Sequence, residues 1–129
     1  MKLTFSWEDK IGWGVEPYCS ADVVNKDGMS LLACLLVDDG GTGYLSSVPW
    51  IDDGIAMIDA VMKGEVADGD WARETWGAKL KPDEVEIYSL YQEDYSEVVP
   101  SPAFRHALLA WREFIQSTPD VNTVLEVDV

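Results

Sequence analysis

Residues 100–117, PSPAFRHALLAWREFIQS, restrict the possible folds more than any other stretch of the chain. Phe104, Leu108, Trp111 and Ile115 recur at i, i+4, i+7 and i+11, the spacing that gathers apolar side chains on one face of an α-helix. Ser101 stands where an N-cap belongs, and Pro102 follows at the first helical position, where its missing N–H costs no hydrogen bond. Thr118-Pro119 ends the helix, because the residue before a proline is driven out of the α region. Ala107 and Ala110 leave room for a close neighbour. A helix of this length is marginal until its stripe is covered, so the remaining chain has to supply the surface that covers it.

A second stripe answers the first. Ile51, Ile55, Ile58 and Met62 repeat the same spacing over residues 47–63. Ser47 is the expected N-cap, Pro49 lies in the first turn, and Asp52 and Asp53 favour the positive end of the helix. Lys63 and Gly64 close it in the usual order.

The rest of the chain reads as strand. Leu3, Phe5 and Trp7 alternate with Lys2, Thr4 and Ser6, as in a strand with one buried face. Residues 8–17 contain Gly12, Gly14 and Pro17 and read as a loop carrying Trp13; residues 18–24 form a second strand, with a turn at Asp27-Gly28. The short apolar run 29–37, MSLLACLLV, suits a central strand covered on both sides. Glu74, Trp76, Ala78 and Leu80 alternate, Lys81-Pro82-Asp83-Glu84 supplies a turn, and Val85, Ile87, Ser89 and Tyr91 line one face of the returning strand. Val121, Thr123, Leu125 and Val127 make a last strand. The expected fold is α+β, a single domain over residues 1–129, with an antiparallel sheet of about five or six strands and two amphipathic helices packed on it.

Charge narrows the function classes. Twenty-four acidic residues against nine basic ones give a net charge of −15 on 129 residues. Self-repulsion on that scale opposes compaction. It argues against direct binding of nucleic acid or of an anionic membrane, both of which need basic faces; it suits a basic protein partner or a cation, or serves solubility alone. The N-terminus lacks the apolar core of a signal peptide, and no run approaches a membrane span, so a cytoplasmic protein is expected. Cys19 and Cys34 have neither metal nor redox spacing; Cys34, inside an apolar run, is expected to pack as a small hydrophobe.

Catalytic sets are scarce. The single histidine, His106, lies on the 100–117 helix beside Arg105 and reads as a surface residue. No serine sits in a nucleophile elbow, and no histidine is sequence-linked to either cysteine. The loop Asp38-Asp39-Gly40-Gly41-Thr42-Gly43 has no lysine and two aspartates that repel phosphate, so it is not a nucleotide cradle. Neither it nor Asp68-Gly69-Asp70 has the register of an EF-hand, so no metal or other cofactor is expected. A carboxylate pair of the glycosidase kind is the enzymatic alternative.

Residues 76–115, WGAKLKPDEVEIYSLYQEDYSEVVPSPAFRHALLAWREFI, carry a resemblance. The Trp-led strand, short turn, EVEIYSLY strand, acidic link and helix ending AWREFI are similar to the small immunity proteins of bacterial polymorphic toxins, including those of contact-dependent growth inhibition systems. The resemblance implies a protein without enzymatic activity that binds and neutralises a cognate toxin domain. Charge leads separately to a related expectation: a nuclease toxin needs a basic cleft, and an acidic inhibitor would be steered into it. A nucleic-acid mimic acting on a DNA-binding protein is the other alternative. The candidate partner-binding residues are Asp38, Asp39, Asp68, Asp70, Glu93, Asp94 and Glu97, with Trp13, Trp50 and Trp71 as aromatic anchors in or beside loops.

Overall fold

The computed structural model describes residues 1–12 and 14–129; Trp13, one of the three expected anchors, lies outside the described residues. The fold is α+β, but its strands form two antiparallel sheets rather than one. The first sheet has the order β2-β1-β7, built from β1 (Lys2–Lys10), β2 (Gly14–Ala21) and β7 (Val124–Asp128). The second runs β3-β4-β5-β6, from β3 (Gly69–Ala72), β4 (Trp76–Leu80), β5 (Glu84–Ser89) and β6 (Ser96–Pro100). The reading of 8–17 as a loop is corrected: β1 runs on to Lys10, which pairs with Gly14, so the two strands form a hairpin. Strands β3 and β6 were not expected.

The largest correction concerns residues 29–37. They hold not a strand but the helix α1 (Leu31–Val37). Ser30 caps it, its Oγ accepting from the Ala33 N–H at 3.2 Å, and the two Glu97 carboxylate oxygens accept from the first two helix amides, Leu31 at 3.3 Å and Leu32 at 3.2 Å. With its orphan N–H groups satisfied, a two-turn helix survives in the core, where Leu31, Leu32, Leu35 and Leu36 are all buried. It touches β2 of the first sheet and β4, β5 and β6 of the second, so this short helix joins the two sheets.

The two amphipathic helices form as expected, α2 over Ser47–Met62 and α3 over Ser101–Ile115. On α3 the whole stripe Phe104, Leu108, Trp111 and Ile115 is buried. Trp111 meets Phe5 edge-on at 5.0 Å, and Phe114 stacks on Trp7 at 5.0 Å, so aromatic pairs seat α3 on the first sheet. The expected caps fall one residue out. Ser101 is the first helical residue; its Oγ donates to the Lys81 carbonyl at 2.6 Å, pinning the helix start to the β4–β5 turn. Ser47 likewise begins α2, after a 3₁₀ turn over Tyr44–Ser46. At the far end of α2, Gly64 is left-handed, its N–H donates to Val61 and the Glu65 N–H donates to Ala60, a Schellman close. Helices α2 and α3 are tied by Arg105–Asp59 at 2.5 Å and by Arg112–Asp52.

Where α2 crosses β3, only glycine fits. A Cβ on Gly54 would stand 2.5 Å from Trp71 Cε2. The Trp71 ring stacks on Trp50 at 3.9 Å, its Nε1–H donates to the Trp50 carbonyl at 3.0 Å, and Trp50 returns a bond to the Ala72 carbonyl at 2.9 Å.

Candidate interaction surface

Antiparallel connection places the β3–β4 and β5–β6 turns at the same end of the second sheet, and the loops around α1 close over that end. Asp38, just past α1, is the staple. Its Oδ2 accepts from the amides of Glu74, Thr75 and Trp76 at 3.2, 2.9 and 3.2 Å, and its Oδ1 from Gly40 at 3.2 Å. A carboxylate ringed by backbone N–H groups holds a turn tightly because each bond is charge-assisted. Leu90 N–H donates to the Thr75 carbonyl at 3.0 Å, joining the two turns. Tyr95 joins the 25–29 loop to them: its hydroxyl accepts from Asn25 Nδ2 at 2.9 Å and donates to Asp27 at 3.1 Å.

The loop from Asp39 to Ser46 turns on left-handed glycines at 40, 41 and 43. Arg73 locks it from the other side. Its guanidinium lies 5.2 Å over the Trp50 ring, and Nη2 donates to the Asp39 carbonyl at 2.9 Å. No side chain could replace the hydrogen of Gly40 without crowding that guanidinium, since a Cβ there meets Arg73 Nε at 3.2 Å.

The candidates named from sequence separate into three groups. Asp38 and Glu97 are half-buried and engaged by backbone amides, so they shape the surface instead of offering charge to a partner. Trp71 is 4 % exposed; it is core, not a surface anchor, because β3 carries it under α2, while Trp50 is half-buried on top of it. Glu93 and Asp94 are exposed in the β5–β6 turn, and Asp39 is half-buried, with Oδ1 accepting from the Gly41 amide at 2.8 Å. Asp70 sits on the open face of the second sheet, where it accepts from the Tyr88 hydroxyl at 2.7 Å. Asp68 is exposed just before β3.

Two residues of this end were not singled out from sequence. Glu74 is exposed and forms no ion pair among the described residues, and Trp76 is half-buried nearby. Alternation assigned both to a strand; the turn that re-aims Glu74 depends on Asp38, 36 residues away. An open groove of about 440 Å³ runs between the 38–41 loop and the β3–β4 turn, walled by Met29, Val37 and Trp76 with Asp39 and Glu74 at its rim. A second groove of about 370 Å³, across the loop, contains Trp50 and Arg73.

The surface is under-neutralised. Four acids form ion pairs among the described residues: Glu126 with Lys2, Glu16 with Lys10, Asp59 with Arg105 and Asp52 with Arg112. Arg73 and Lys79 lie over Trp50 and Tyr88. Most of the nine cations are thus engaged internally, and Asp39, Glu74, Glu93 and Asp94 form no ion pairs among the described residues.

The remaining chemistry is sparse. Burial pushes the Cys19 thiol up to about 12, with Cys34 adding to the rise, and burial also raises Cys34, helped by Glu97. Both are poor nucleophiles. Burial, then the bond to Asp70, raises Tyr88 to about 12. The only buried polar residues among those described are Ser30, Ser47 and Ser101. His106 is exposed, and no group of three His, Cys, Asp or Glu among the described residues could hold a metal ion. No helix among the described residues is long and apolar enough to cross a membrane. Comparison with protein-family models, with curated proteins and with solved structures found no match to this chain.

Proposed function

We propose that this protein is an immunity protein: it binds a basic toxin domain, in the first instance a nuclease, in the cytoplasm of the cell that makes both, and neutralises it by covering its working surface. It has no catalytic role of its own in this reading. The observation that carries the proposal is the net charge of −15 together with acids at the loop end that form no ion pairs among the described residues. A nuclease cleft must attract phosphate and is therefore basic, so an acidic inhibitor is drawn to it at long range and excludes its substrate once docked. The likeness of residues 76–115 to immunity proteins of polymorphic toxins supports the same reading. Two of the half-buried carboxylates, Asp38 and Glu97, are tied to backbone amides, which favours inhibition over a reaction run by that pair of acids.

The test is co-expression with basic toxin domains, first among them any encoded in a neighbouring gene. A stable complex and protection of a cell expressing the toxin are expected. Failure to bind any basic toxin domain, or turnover of a small substrate in a pocket of this protein, would overturn the proposal.

A further inference from the structure

We infer that the groove between the 38–41 loop and the β3–β4 turn is where this partner is gripped, and that it takes an arginine side chain. The inference rests on the inhibitor reading and goes further by naming the seat and the chemistry of what enters it. The groove combines apolar walls and acids with a lining free of cations; the groove between Tyr88 and Tyr95 also has Glu86, Glu93 and Asp94, but Lys79 already lies over Tyr88 there. Its walls include Met29, Val37 and Trp76, which suit an aliphatic stem and offer a planar cation an indole; its rim holds Asp39 and Glu74. Asp39 uses Oδ1 to accept from Gly41 at 2.8 Å, which leaves Oδ2 for an incoming donor. Glu74 forms no ion pair or side-chain hydrogen bond among the described residues.

The rim is also pre-organised. Asp38 fixes the amides of residues 74–76 and of Gly40 at once, so the two acidic edges are held at a set separation before anything binds. Ordering cost is thereby lowered. The neighbouring groove across the loop, which Glu74 also lines, is less favourable to a cation, because the Arg73 guanidinium already lies over Trp50 there. The molecule therefore favours a positive side chain on one side of the 38–41 loop over the other. Arginine fits better than lysine, since guanidinium is planar, weakly hydrated and stacks on aromatic rings.

The experiment titrates isotopically labelled full-length protein with the capped tripeptides Gly-Arg-Gly, Gly-Lys-Gly and Gly-Glu-Gly, following amide and indole resonances. The arginine peptide is expected to shift Gly40, Gly41, Thr75 and the Trp76 indole N–H, with the lysine peptide weaker and the glutamate peptide silent. Asp39→Asn and Glu74→Gln each raise the apparent Kd of the arginine peptide about two- to fivefold, the range of one exposed ion pair. Glu84→Gln, at the start of β5, changes nothing. Shifts absent from the groove, spread evenly over the acidic surface, or unaltered by both rim variants would overturn the inference while leaving the inhibitor reading standing. That reading fails by the separate observation that no complex with a toxin domain forms.

Discussion

Gly54→Ala tests the packing that positions the loop end. In an exposed helix the change would stabilise by about 0.8–1.0 kcal/mol, because alanine orders the backbone at lower entropic cost. Here the new methyl would stand 2.5, 2.6 and 3.0 Å from Cε2, Cζ2 and Cδ2 of Trp71, against an optimum of about 3.5–4.0 Å for carbon pairs. The ring has no free direction of retreat: Trp50 stacks on it at 3.9 Å, and its Nε1–H is held by the Trp50 carbonyl. Overpacking of this kind costs about 1–3 kcal/mol, and three crowded ring atoms put it in the upper half of that range. The net expectation is a loss of about 1–2 kcal/mol. For a chain of 129 residues the unfolding entropy is about 0.27 kcal/mol per kelvin, so Tm falls by about 4–7 °C. Urea unfolding followed by far-ultraviolet circular dichroism reads the loss, and a double-mutant cycle with Trp71→Leu isolates its cause. Without the indole, Gly54→Ala should be neutral or stabilising by up to about 1 kcal/mol. If it destabilises equally in both backgrounds, the steric argument is wrong.

Three other expectations follow from the same geometry. Asp38→Ala removes the acceptor of four amides and should cost about 2 kcal/mol, with Asp38→Asn losing about half as much, since water re-solvates this partly exposed turn; hydrogen exchange at Thr75 and Trp76 must accelerate, and unchanged exchange would refute the staple. The Tyr88 phenol should titrate near pH 12 by absorbance, and Asp70→Asn should move it down toward the ordinary value of 10, because the bond to Asp70 holds the neutral form; an unmoved titration would remove Asp70 as a cause. Cys19 is held protonated by burial, so its contribution to stability is full below pH 9, its ordinary pKa, and is lost as pH rises from 9 toward 12. Cys19→Ala should flatten the start of that alkaline decline in a pH series of unfolding curves, whereas an identical decline in wild type and variant would contradict the linkage.

Periodicity made α2, α3 and the β4–β5 hairpin legible, because each pairs a long apolar stripe or alternation with local start and stop signals. It could not separate helix from strand in residues 31–37. Most of α1 is buried, and the side that opens to the groove, Cys34 and Val37, is apolar as well, so the run carries no polar face, and one of its caps, Glu97, is 65 residues away from Leu32. Ser30 was the local sign of a helix start, and the Leu and Ala content pointed the same way. The division into two sheets was not legible either: it follows from β1 pairing with β7, Lys2 opposite Asp128, a contact that no local pattern encodes. At the candidate site, acidity marked Asp38, Asp39, Glu93 and Asp94, but not which carboxylates are tied to amides. Trp71 sits on a strand too short to show alternation, which hid its burial.

The central claim is that uncompensated acid charge draws this protein to a basic partner. The most direct measurement is the association rate with a basic toxin domain that the protein is found to bind, by stopped-flow fluorescence, across a series of salt concentrations. The account predicts a rate that falls steeply as salt rises, while the dissociation rate changes little. An association rate indifferent to salt would contradict it.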